Sequence, residues 1–97
     1  MRKSIIQEEK RCFFCGRVTD LERHHIFYGT ANRKLSDADG LTVWLCNEHH
    51  RGKSGVHQNH DRDLILKQYA EELYLIHYEK TIEDFIERYG RNYLEEI

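Results

Sequence analysis

Two short ligand pairs constrain this chain more than anything else in it. Cys12-Phe13-Phe14-Cys15 and Cys46-Asn47-Glu48-His49 each hold two residues between their members. That spacing lets both side chains of a tight knuckle, or of a first helical turn, converge on one ion. Three thiolates with one imidazole favour tetrahedral zinc. Gly16, directly after Cys15, suits the backbone of such a knuckle. The pairs use all three cysteines, an odd number that argues against a disulfide framework and for a reducing compartment. The plainer alternative is buried, unreactive cysteines beside a coincidental histidine, and it leaves this region with little to hold it together. Residues 12–57 carry five of the six glycines, and their apolar runs, Cys12–Phe14 and Leu41–Leu45, are brief enough to be short strands or turns. So few apolar side chains cannot build a conventional core, so a structural Zn²⁺ is expected to stabilise the stretch.

A chain of 97 residues allows one domain, here 1–97, and buries only about 60% of its unfolded surface. With 33% charged and 39% hydrophobic residues it reads as a folded globular protein. No apolar run approaches a membrane span, and the first residues lack a signal peptide's apolar core. The expectation is a cytoplasmic protein with no membrane partner. Residues 1–11 read as a polar lead-in, mobile at its start. Residues 59–97 read as a helical arm. Leu66, Tyr69, Ala70, Leu73, Ile76 and His77 recur at helical spacing, with Asn59 or Asp61 as the cap. A second helix would start at Thr81, pair it with Asp84 in a capping box, show Ile82, Phe85, Ile86 and Tyr89 on one face, and end at Gly90. Charge is split along the chain. Residues 1–60 have ten Lys/Arg against seven acids, and residues 61–97 have five against ten, so a polyanion would be drawn to the first part.

Five of the seven histidines lie between His24 and His57, including two adjacent pairs, His24-His25 and His49-His50. If His49 shares a helical turn with Cys46, His50 points about 100° away toward a different site. On a strand, His24 and His25 would face opposite sides. Imidazole is both a metal ligand and a base with a pKa near 6.5, so one member of a pair can hold a metal while the other acts on water.

The order of these pieces closely resembles the HNH endonucleases, most of all the small ones carried by bacteriophages and prophages. The carrying residues are Cys12-x2-Cys15, then His24-His25-Ile26, then an apolar run ending Leu45-Cys46-x2-His49-His50, about half the chain. A more distant likeness is to Ref-type, RecA-dependent recombination nucleases. The resemblance implies an α+β fold: a small zinc-stabilised ββα-metal core, treble-clef-like, over 12–57, followed by two C-terminal helices. It implies that His24 and His50 bind a catalytic divalent metal, that His25 is the general base, and that Cys12, Cys15, Cys46 and His49 hold zinc. His57 would be a third ligand if the helix continues through Gly52 and Gly55. The implied activity is hydrolysis of DNA phosphodiester bonds to 3′-hydroxyl and 5′-phosphate ends, inside a bacterial host cell. The catalytic ion would be Mg²⁺, Mn²⁺, Ni²⁺ or Zn²⁺, and a His-rich shell accepts the last three more readily than an all-oxygen site would.

There are departures from the pattern. The family's middle Asn would fall near Gly40 or Leu41, where this chain has none. Asp39 is the nearest polar side chain, with Asn32 and Asn47 the nearest asparagines, so Asp39 is the candidate to orient His25. Phe27-Tyr28 stands where a Pro is common. Arg17, Arg23, Arg33, Lys34, Arg51 and Lys53 are the candidates for DNA phosphate contacts. A recombination protein and a second copy of the chain are further candidate partners, since the C-terminal helices could either complete the core or form a homodimer. The rival reading is a zinc-stabilised nucleic-acid or protein adaptor without catalysis, which leaves His24, His25 and His50 idle. Two apparent motifs are set aside. Gly52-Lys53-Ser54 lacks the strand–loop–helix setting of a P-loop, and Tyr69, Tyr74, Tyr78 and Tyr89 sit on expected helices and read as packing residues rather than base platforms.

Overall fold

The computed structural model describes residues 3–95, so the expected mobile start at Met1 and Arg2 lies outside the described residues. Strands β1 (Leu21–His25) and β2 (Thr42–Cys46) pair antiparallel, with Leu21 opposite Cys46 and His25 opposite Thr42. Helix α1 (Thr30–Asp39) connects them, and the one-turn helix α2 (Asn47–His50) follows β2 without a break. Two longer helices, α3 (His60–Tyr78) and α4 (Ile82–Tyr89), complete an α+β fold, with a 3₁₀ turn at Tyr93–Glu95.

Most of β2 is buried, as are Ile26, Phe27 and Leu41 beside the ribbon. The C-terminal helices close the core. Phe85 is fully buried, its ring 5.2 Å from Phe27 and 5.5 Å from Tyr74, and Tyr89 lies 4.9 Å from Phe27. Phe27, in the place of the expected Pro, is thus the hub of an aromatic cluster worth several kcal/mol of buried area.

α4 begins and ends as its sequence indicates: Thr81 and Asp84 form a reciprocal capping box and Gly90 closes the helix. Only half its expected apolar face is buried, however, because Ile82 and Ile86 are exposed. α3 is capped by Asn59, whose side chain accepts from the Arg62 N–H, and not by Asp61. Its buried face is rotated from the expected stripe. Leu66 and Ala70 point inward, but Ile76 is 75% exposed and Tyr69 44%, while Asp63, Glu71 and Tyr74 are buried instead.

The lead-in is better ordered than its composition suggests. Ser4 Oγ donates to the Thr42 carbonyl, the Ile5 N–H to Gly40 O, and the Trp44 N–H to Gln7 Oε1. Gly40 is needed twice over. It ends α1 at φ 74°, and a Cβ there would lie 2.6 Å from the Lys3 carbonyl. None of the helices among the described residues is long and apolar enough to cross a membrane.

Candidate metal centres and catalytic cavity

Among the described residues, two groups of side chains could each hold a metal ion, and α2 contributes adjacent histidines, His49 and His50, one to each. The first joins the Cys12–Cys15 knuckle to the end of β2. Cys46 is the last residue of β2 and the N-cap of α2, so its thiol and the His49 ring, one turn on, share a face. Sulfur Sγ of Cys46 lies 3.3 Å from His49 Nδ1, Cys12 Sγ lies 3.7 Å from the same nitrogen, and Cys15 Sγ lies 3.8 Å from Cys46 Sγ. All four ligand atoms fall within 4.8 Å of one another. A tetrahedral ion with metal–sulfur bonds of about 2.3 Å and a metal–nitrogen bond of about 2.0 Å has ligand–ligand edges of about 3.5–3.8 Å, so this donor set fits one. Burial opposes ionisation of Cys12, but the N–H groups of Cys46, Cys15 and Phe14 outweigh it and lower its pKa, favouring the thiolate a metal needs. At Cys15 the Arg17 N–H favours the thiolate, yet burial and the neighbouring Cys12 and Cys46 together raise the pKa. A cation among the three sulfurs would relieve that conflict.

The second cluster is His24, His50 and His57, whose ligand nitrogens also lie within 4.8 Å of one another. Strand alternation turns His24 away from His25, as expected, and buries it to 3% exposure. Its Nε2 is buried without a hydrogen-bond partner, the signature of a nitrogen awaiting a ligand. Burial, followed by the neighbouring His50 and His57, pushes the His24 pKa down to about 3, so it is neutral and a competent ligand near pH 7. Burial and His50 lower His57 as well. His50 Nδ1 lies 3.1 Å from Glu22 Oε1, a contact that fixes the proton on Nδ1 and leaves the Nε2 lone pair facing His57 Nε2 at 3.0 Å. A carboxylate behind a ligating imidazole is the usual outer-shell arrangement of a metal site.

His57 arrives by a route that differs from a helical one. α2 stops at His50, and the chain folds back so that the Val56 and His57 N–H groups donate to the His49 and His50 carbonyls. A Cβ on Gly55 would lie 2.7 Å from the His50 carbonyl, so the same glycine that interrupts the helix permits the return.

His25 sits at the edge of the same cavity, of about 500 Å³, which the three clustered histidines line together with Arg23, Arg33 and Arg51. Asp39, expected to orient His25, is placed elsewhere: it accepts from Arg88 Nε at 2.6 Å and Tyr89 Oη at 2.6 Å, tying α1 to α4. Asp37, two residues earlier in α1, faces His25 instead, with Oδ1 3.2 Å from His25 Nε2. Asn32 bonds the Tyr89 carbonyl, and Asn47 begins α2, so neither stands in. Among the expected phosphate contacts, Lys34 lines a shallow neighbouring hollow with His25, Arg33 and Asp37. Arg17 is paired with Asp20, and Lys53 lies on the exposed turn after α2, so neither lines the cavity.

Glu22 and Asp37 were missed by sequence reasoning. The only available signal for Glu22 was strand alternation, which places it on the His24 face. Comparison with known proteins adds nothing to this geometry: no protein-family model, no curated protein and no solved structure matches the chain.

Proposed function

We propose that this protein is a metal-dependent endonuclease of the ββα-metal type that hydrolyses phosphodiester bonds in DNA, with zinc in the Cys12/Cys15/Cys46/His49 site. The observation that carries the reading is convergence. Three imidazoles able to hold a divalent ion, a fourth imidazole backed by a carboxylate, and three arginines share one cavity. The antiparallel β1–β2 ribbon, with α1 inserted between its strands and the one-turn α2 leaving the end of β2, supports the same fold type.

His24, His50 and His57 would hold the catalytic ion. When bound there, such an ion would supply Lewis-acid polarisation of the scissile phosphate and charge stabilisation at the leaving oxygen. His25 does the proton chemistry. With Asp37 accepting from Nε2–H, the Nδ1 lone pair is the basic one, and it takes a proton from the attacking water. Asp37 then stabilises the imidazolium. Arg23, Arg33 and Arg51 supply positive charge for the strand's phosphates. An all-nitrogen ligand set favours Mn²⁺, Ni²⁺ or Zn²⁺ over Mg²⁺.

The direct test incubates zinc-loaded protein with supercoiled plasmid across a series of divalent ions, with a His25→Ala control. Metal-dependent nicking by the parent, strongest with Mn²⁺ or Ni²⁺ and nearly lost in the control, is the expected result. If the parent binds plasmid but leaves it intact in every metal, the protein is a zinc-stabilised adaptor instead.

A further inference from the structure

Trp44 is the chain's only tryptophan, and neither metal cluster uses it. It stands half-buried on β2, directly opposite Arg23 on β1. The Arg23 guanidinium lies over its ring at 5.1 Å, and the ammonium of the exposed Lys10 at 4.6 Å. Alternation puts the Arg23–Trp44 pair on the same face of the ribbon as the His25–Thr42 pair, and His24 on the other. Beside Trp44 is a hollow of about 460 Å³, walled by the lead-in at Lys3, Ser4 and Gln7. The wall is fixed by side-chain bonds, Ser4 to the Thr42 carbonyl and Gln7 to the Trp44 N–H, in place of a closed strand ladder. Arg23 lines both this hollow and the histidine cavity. One acid, Glu8, lines the hollow against Lys3 and Arg23, with Lys10 over the ring, so its balance is positive.

We propose that Trp44 is a stacking platform for an unpaired base next to the scissile phosphate, and that the substrate is therefore single-stranded or locally unpaired nucleic acid. An indole face with cations around it suits a base and its phosphates, and stacking of this kind is independent of base identity. A base inside a duplex has both faces covered by its neighbours and has none to offer. Two residues of strand separate the Trp44 and His25 rows, about 6.8 Å, or two rises of a stacked strand at about 3.4 Å each. A base on Trp44 thus keeps its strand within reach of His25, while Arg23 spans the gap. Lys10, being exposed, yields the ring face and turns to a phosphate. Only the placement beside the scissile phosphate rests on the nuclease reading.

The single tryptophan makes the test direct. Zinc-loaded full-length protein, without further divalent ions, is titrated with a short labelled oligothymidine strand and with a duplex of equal length. Trp44 emission and label anisotropy are followed together. The single strand should quench Trp44 and the duplex should not. Trp44→Ala should weaken single-strand binding about 5–150-fold, the range that stacking one base commands, whereas Trp44→Phe should keep most of it. Single-strand binding with unchanged Trp44 emission, equal quenching by duplex, or no binding of either would overturn the platform. Quenching without cleavage in any metal would sink the nuclease reading and leave the platform standing; metal-dependent cleavage without quenching would do the reverse.

Discussion

His24 carries a buried, unpartnered Nε2 and a pKa depressed to about 3, and both have a measurable consequence. Between an unfolded value of about 6.5 and about 3, the unfolded chain binds a proton at this residue that the folded chain does not. Its contribution to stability is therefore fully present above about pH 6.5 and lost as pH falls through that window. With the three-histidine site metal-free, the parent should lose about 1.4 kcal/mol more than His24→Gln between about pH 7.5 and 5.5, read from urea unfolding. Equal losses in the two proteins would contradict the assignment. The two carboxylates behind the histidines should also separate by role. Asp37→Ala should slow cleavage about 10–100-fold with catalytic-metal affinity intact, whereas Glu22→Ala should weaken that metal by a similar factor, as calorimetric titration would show. At this scale the sequence was legible wherever spacing alone sets geometry. Two intervening residues bring Cys46 to His49, and alternation parts His24 from His25. It was not legible where a partner comes from another element, which is why Asp39 stood in for Asp37.

Among the elements, the knuckle bears most on the site, because Cys46 ends β2 and caps α2 at once. Cys46→Ser should lower zinc content, melt residues 12–57 and displace His50. Circular dichroism with zinc analysis checks this, and a zinc-free variant with native spectrum and melting would contradict it. α1 shows why an element can escape sequence reading. It has no apolar stripe, and its buried residues are Ser36 and Asp39. Ser36 Oγ donates to Phe27 O and accepts from Phe27 N, while Asp39 binds Arg88 and Tyr89, so polar bonds dock this helix. The rotation of α3 has a related cause. Its buried face includes Asp63, paired with Lys67 at 2.9 Å, and Glu71, which accepts the Tyr93 N–H. An apolar pattern cannot register such a face. α4, whose capping box and aromatic anchors follow local rules, was legible at its ends. Phe85→Ala there should cost about 3–5 kcal/mol of stability, measured by denaturant unfolding.

Across the whole molecule, three arginines of the basic first sixty residues, Arg23, Arg33 and Arg51, line the histidine cavity, and the acidic excess lies mainly on the C-terminal helices. DNA affinity should fall steeply with salt. Arg33→Ala with Lys34→Ala should flatten the log–log slope by about two, and neutralising the exposed Glu72 and Glu83 should not weaken binding. The central claim is that His24 and His25, adjacent in the chain, hold a metal and move a proton respectively. Single-turnover plasmid cleavage over a Mn²⁺ titration tests it most directly. His24→Ala should regain part of its rate as Mn²⁺ rises, whereas His25→Ala should stay about 10²–10⁴-fold slow at every concentration, with zinc retained in both. Cleavage by His25→Ala at the parent's rate, or identical Mn²⁺ responses in the two variants, would contradict the account.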